Sequence, residues 1–248
     1  VEDCFYTAIE AVNIARKYNV PVFVLSDQAI ATRIEAFNEP DLKTICKNVE
    51  LDLSPVPSHK PYDLSSGDAP SQHRVPGTRI EDGRYPVVTG LEHDEWGHPS
   101  GDAANHIAMT KKRRNKLKTL ADELPAPEVY GAESGDVLLV GWGSTKGPLL
   151  EAVEELGKNG DALSALHIKH INPLPNGLDA IFSRFNSVYV VEMNDGGVYG
   201  YGQLAGVLRA RFADARIKGI NKTAARRWKV SEIIERVKAC LEEVAATA

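Results

Sequence analysis

The sequence predicts an α/β protein in two unequal parts, an incomplete α/β domain over residues 1–125 and a complete α/β/α domain over residues 133–248. Three observations carry this reading. Apolar strands and amphipathic helices alternate regularly only after about residue 133. Before that point one helix and one strand stand alone, too few to close a core. Between them lies a long stretch whose prolines, at positions 40, 55, 57, 61, 70, 76 and 86, block regular elements.

Taken in order, residues 2–18 place Phe5, Ala8, Ile9, Val12 and Ala15 three and four apart, the spacing of an amphipathic helix. Residues 21–25, Pro-Val-Phe-Val-Leu, read as a short apolar strand. No partner strand follows it in the next hundred residues, so the chain is expected to begin inside a domain whose first part lies elsewhere. Residues 38–85 are expected to be either disordered or an extended arm stabilised by a partner, since a structureless loop of that length is otherwise uncommon. A basic helix over 107–120 and a linker over 125–135 follow. Strands are then predicted at 137–140, 166–168, 188–191 and 216–220, with helices at 148–156, 177–184, 202–212 and 231–244. Such alternation implies right-handed crossovers and a largely parallel sheet covered on both faces.

Composition narrows the function classes. The 248 residues are 43% hydrophobic and 25% charged, an ordinary soluble balance. No apolar run approaches the ~20 residues of a membrane helix, and no signal peptide is visible, so a cytoplasmic protein is expected. Cys4, Cys46 and Cys240 are too few and too dispersed for a disulfide framework or for the four thiolates of an iron–sulfur cluster. The net charge of −5 argues against nucleic-acid binding despite six basic residues between Lys111 and Lys118. That run is read as a salt-bridged helix or a subunit contact.

The densest chemistry lies in residues 90–99, Gly-Leu-Glu-His-Asp-Glu-Trp-Gly-His-Pro. Two imidazoles, three carboxylates and an indole in ten residues suit a shaped loop at a site or surface, because histidine titrates near neutrality and adjacent carboxylates orient it. Glu92, His93, Glu95 and His98 are the candidate catalytic residues. His93 and His98 are five apart and flanked by Gly97 and Pro99, which does not match the helical zinc-protease pattern, so no metal site is assigned.

Three weaker motifs occur in the second part. Residues 141–147, Gly-Trp-Gly-Ser-Thr-Lys-Gly, have dinucleotide-like glycines at the wrong spacing and are read as a tight structural turn. Residues 194–202 carry four glycines and two tyrosines at a strand's carboxyl end and are read as a surface loop. His167 and His170 are read as capping or interface residues.

Read outward from the loop, Val75-Pro76-Gly77, Gly83, Tyr85, Asn105-His106, Met109 and the basic run Lys111-Lys112-Arg113-Arg114 form an order that resembles the α-subunit of 2-oxoacid:ferredoxin oxidoreductases. The 2-oxoglutarate type is the most similar. Asn13-Ile14-Ala15 and the stretch from Pro21 to Gln28 look like the end of that family's thiamine-pyrimidine domain. Val191-Glu192-Met193-Asn194 and Gly202-Gln203-Leu204 look like its next domain, itself similar to the C-terminal domain of transketolase. The loop at 194–202 is longer than the family pattern.

The resemblance implies that residues 1–125 are the C-terminal part of a pyrimidine-binding domain with an extended arm, and that residues 133–248 are a transketolase C-terminal-like α/β/α domain. It implies oxidation of 2-oxoglutarate with coenzyme A to succinyl-coenzyme A, carbon dioxide and reduced ferredoxin. Thiamine diphosphate and magnesium would be shared with a β-subunit, and the iron–sulfur cluster would sit on a partner. Asp27 and Gln28 are the candidate cofactor-binding residues, while the family's activating glutamate and substrate-gripping Thr and Arg match nothing here. The chain alone is expected to be inactive. The alternatives are a non-catalytic assembly module and a dinucleotide-dependent oxidoreductase.

Overall fold

A computed structural model describes residues 1–45, 53–158, 160 and 162–247; Cys46 lies outside them. The chain divides into two compact units, one formed by Val1–Val24 with Ile34–Glu123, the other by Leu25–Arg33 with Leu124–Ala248.

The first unit opens with α1 (Glu2–Tyr18), which carries Glu2 and Asp3 in its first turn and Arg16 and Lys17 in its last, complementing the helix dipole. Asn19 ends it in the left-handed conformation. The predicted apolar face is half open, since Val12 is 56% exposed. The segment over 21–25 is not a strand: Phe23 and Leu25 are exposed, and no described residue pairs with it. A strand needs a neighbour for its backbone groups, and apolar content alone does not supply one. A short helix, α2 (Gln28–Ala31), falls in the segment assigned to the second unit, and α3 (Leu42–Ile45) returns to the first.

The long helix α4 (Ala103–Glu123) is the first unit's backbone. The stretch before it is held by this helix and by its own turns. Lys112 Nζ donates to Ser66 Oγ at 2.6 Å, Thr119 Oγ1 to the Asp68 carbonyl at 3.0 Å, and Lys116 Nζ to the Asn19 carbonyl at 2.8 Å. Val56 bridges Ile80, with its carbonyl accepting from Glu81 N at 2.9 Å. Prolines deny this region a ladder, so side chains satisfy its backbone instead. The expected partner-stabilised arm is thus fastened, over its described part, to the chain's own basic helix. Apolar burial here is sparse: Tyr18, Met109, Leu120 and Ala121 are its buried hydrophobic residues among those described.

The second unit is a five-stranded sheet. In chain order come β1 (Val129–Tyr130), β2 (Gly135–Trp142), α5 (Lys146–Lys158), β3 (Leu163–Ile168), α6 (Leu178–Phe182), β4 (Phe185–Glu192), α7 (Gln203–Phe212), β5 (Ile217–Asn221) and α8 (Val230–Thr247). The strands lie in the order β1-β3-β2-β4-β5, all parallel except β1, which runs antiparallel to β3. The predicted linker therefore contains an edge strand. Alternate residues feed two cores. Val137, Leu139 and Tyr189 pack with Leu149, Leu156 and Ile233 on the α5 and α8 side. Leu138, Val140 and Val190 pack with Phe182, Leu204 and Leu208 on the α6 and α7 side. Strands buried on both faces explain the unbroken apolar runs. No helix among the described residues is long and apolar enough to cross a membrane.

Candidate functional site

Residues 90–100 form a closed turn whose shape is set by backbone and carboxylate together. His93 and Pro99 make an antiparallel bridge, Ser100 N donates to the Glu92 carbonyl at 2.9 Å, and Asp94 N donates to the His98 carbonyl at 2.9 Å. Asp94 Oδ1 accepts from Trp96 N at 2.9 Å and from His98 N at 3.0 Å. Burial opposes ionisation of Asp94, yet these amides hold its carboxyl below the usual range. Gly97 sits at φ 88°, and a Cβ there would lie 1.9 Å from the Val87 carbonyl oxygen. Only glycine fits.

The four candidate catalytic residues share this loop but face different partners. Glu92 receives the Arg113 guanidinium in a fork, 3.2 Å to Oε1 and 2.8 Å to Oε2, and also meets His106 Nδ1. Arg113 first, then His106, draws its carboxyl down to about 2. A carboxylate held so firmly is a fastener and a poor proton acceptor at neutral pH. His93 is buried, at 8% exposure, with its ring 3.8 Å from the Tyr62 ring between centroids. Its Nδ1 lies 2.8 Å from the Leu91 carbonyl, which can only accept, so Nδ1 carries the hydrogen and a neutral ring keeps its lone pair on Nε2. Asn105 Nδ2 donates to the His93 carbonyl at 2.9 Å. Glu95 pairs with Lys60 at 2.5 Å, and the neighbouring Trp96 ring carries Lys60 at 5.2 Å and Arg84 at 4.5 Å from its centroid. His98 is exposed, its Nδ1 3.6 Å from Asp94 Oδ2.

Sequence reasoning missed Arg113, Tyr62, Lys60 and Asn105 as supports of this loop. His106, Thr110 and Arg113 do carry a local signal, because spacings of four and three put them on one face of α4.

In the second unit, Asp27 caps α2: its Oδ1 accepts from Ala29 N at 3.0 Å and Ile30 N at 3.1 Å, and its Oδ2 accepts from Ser144 Oγ. Gln28 opens α2 and is exposed. Ser144 belongs to the turn after β2, where Thr145 Oγ1 accepts from Trp142 N at 2.9 Å and where a Cβ on Gly141 would lie 2.5 Å from that hydroxyl oxygen. Close packing explains this glycine without a nucleotide. Glu192, fully buried at the end of β4, was another miss. Its Oε2 accepts from Leu204 N and Asn194 Nδ2 and its Oε1 from Ala205 N, all at 2.9 Å, so the carboxylate caps α7 from beneath.

Residues 1–112 match the family model described as pyruvate flavodoxin/ferredoxin oxidoreductase, thiamine diphosphate-binding. The α-subunit of 2-oxoacid:ferredoxin oxidoreductase 1 from Aeropyrum pernix is 35% identical over 77% of this chain and 30% of its own. Subunit KorA of 2-oxoglutarate oxidoreductase from Mycobacterium tuberculosis is 31% identical over 88% of this chain and 33% of its own. A solved 2-oxoglutarate:ferredoxin oxidoreductase from Magnetococcus marinus, with 2-oxoglutarate, coenzyme A and succinyl-CoA bound, superposes with a TM-score of 0.81 at 29% identity, over 96% of this chain and 40% of that one. The chain is related to the α-subunits of 2-oxoacid:ferredoxin oxidoreductases. It spans about a third of the length of the first two α-subunit relatives.

Fit to the family's cofactor is partial. Among the described residues no three His, Cys, Asp or Glu side chains converge as a metal set. Both oxygens of Asp27 are already engaged. The magnesium and diphosphate end of thiamine diphosphate therefore finds no cradle on these residues.

Proposed function

We propose that the chain is part of the α-subunit of a thiamine-diphosphate-dependent 2-oxoacid:ferredoxin oxidoreductase that converts 2-oxoglutarate and coenzyme A to succinyl-coenzyme A and carbon dioxide, passing the electrons to ferredoxin in the cytoplasm. The supporting observation is the likeness to the Magnetococcus marinus enzyme over 96% of the chain. Residues 1–125 are proposed as the C-terminal part of the pyrimidine-binding domain and residues 133–248 as the α/β/α domain that follows it. Thiamine diphosphate supplies a carbon nucleophile and an electron sink when bound. A β-subunit would bring the magnesium and diphosphate contacts, and a partner the iron–sulfur cluster.

Within this reading Glu92, His93, Glu95 and His98 are the proposed contribution to turnover, and Asp27 and Gln28 to cofactor binding. The geometry favours unequal roles. Glu92 and Glu95 anchor the loop through Arg113 and Lys60, and His93 offers Nε2 as the group available for proton transfer. The test is co-expression of the full α-subunit with its β-subunit, followed by coenzyme A-dependent reduction of a ferredoxin or viologen acceptor by 2-oxoglutarate and by pyruvate. Preference for 2-oxoglutarate is expected. Failure of an assembled complex to oxidise any 2-oxoacid would overturn the proposal.

A further inference from the structure

Helix α4 divides its positive charge between two faces. Lys112 and Lys116 turn inward onto Ser66 and Asn19, and Arg113 is committed to Glu92. Lys111, Arg114 and Lys118 remain on the outside, exposed and without an ion pair among the described residues. Their spacings of three and four align them along one stripe about 10 Å long, at ~1.5 Å rise per residue. Ile107, one turn before Lys111 on the same face, is 68% exposed.

No Asp or Glu occurs between Ala103 and Ala121, and the first carboxylate on this face is Asp122, one turn beyond Lys118 at the end of the helix. Like charges three and four apart on a helix repel and cost stability. A merely solvated face is usually mixed in sign; here three cations and one apolar anchor are segregated on the outside of a chain whose net charge is −5. From this layout we infer that the outer stripe of α4 docks an acidic amphipathic helix of a partner protein. Carboxylates at spacings of three and four on that helix match Lys111, Arg114 and Lys118, and one apolar side chain meets Ile107. A nucleic acid fits less well, because the whole chain is acidic, no aromatic side chain lies on the stripe to stack a base, and Ile107 offers a phosphate nothing. The inference rests on the charge layout of α4 and is independent of the reaction proposed above.

The test uses the full-length α-subunit and a labelled synthetic helical peptide bearing glutamates at every third and fourth position and one leucine, measured by fluorescence anisotropy at low salt. Binding is expected to weaken about tenfold or more in K111E/R114E/K118E and to fall with rising salt, while K43E, on another helix, binds as the parent does. If the charge-reversal variant fails to fold, K111Q/R114Q/K118Q serves in its place, with circular dichroism confirming its fold. Absence of peptide binding, or equal binding by the folded variant, overturns the inference. So does tighter binding of a 20-base-pair DNA duplex than of the peptide through the same three residues.

Discussion

Arg113 grips both oxygens of Glu92 with the two terminal nitrogens of its guanidinium, at 3.2 and 2.8 Å, tying the 90–100 loop to α4. Glu92 falls from its ordinary 4.5 to about 2 on folding. The folded state therefore binds fewer protons between those values, and the contribution of the pair is complete above about pH 4.5 and fades as pH drops towards 2. R113Q should lower the melting temperature at pH 6–7, and the gap to the parent should close below pH 3. Differential scanning calorimetry across that range checks it; a gap that persists at pH 2 would mean the fork is not its source.

His93 and His98, so alike in sequence, should behave differently. H93A removes a buried ring packed on Tyr62 and its bond to the Leu91 carbonyl, at an expected loss of about 1–3 kcal/mol. H98A, at an exposed position, should stay within about 0.5 kcal/mol. Urea denaturation of the two variants decides this.

Two glycines bound the same loop with different constraints. G97A meets both a positive φ and the Val87 carbonyl and should cost more than about 2 kcal/mol, whereas G90A, with open space around its Cβ, should cost little. The measurement is the shift in denaturation midpoint for each.

E192A would strand the Leu204 and Ala205 amides in the core of the second unit. At about 1–3 kcal/mol for each buried donor left unpaired, a loss on the order of 2–4 kcal/mol is expected. Amide exchange at the start of α7 should accelerate in parallel, which separates loss of the cap from a general loosening.

The sheet of the second unit was legible because its strands are apolar on both faces and separated by helices of regular period. Strand β1 was not, since two residues between prolines and Gly131 carry no period; it exists because β3 presents an edge to Tyr130 and Val129. Residues 21–25 misled for the opposite reason, an apolar run with no described neighbour to make it a strand. In the loop, the residue types stood out, but their meaning depended on Arg113 and Tyr62, which lie 21 and 31 positions away in the chain. Pairings of that range leave no mark in local spacing. Glu192 shows the same limit: Glu-x-Asn and Gly-Gln-Leu stand together in the family-like pattern, while the bond that joins them spans a folded loop and is not visible in the spacing.

The scarcity of buried apolar side chains in the first unit has a consequence for its response to solvent. With Tyr18, Met109, Leu120 and Ala121 as its described interior, this half relies on polar links such as Lys112 to Ser66 and Arg113 to Glu92. Ionic strength weakens exposed ion pairs, yet excluded salts such as sulfate strengthen apolar burial. Chloride and sulfate should thus act in opposite senses on the molecule, chloride loosening the half built on charge and sulfate tightening the half built on hydrocarbon.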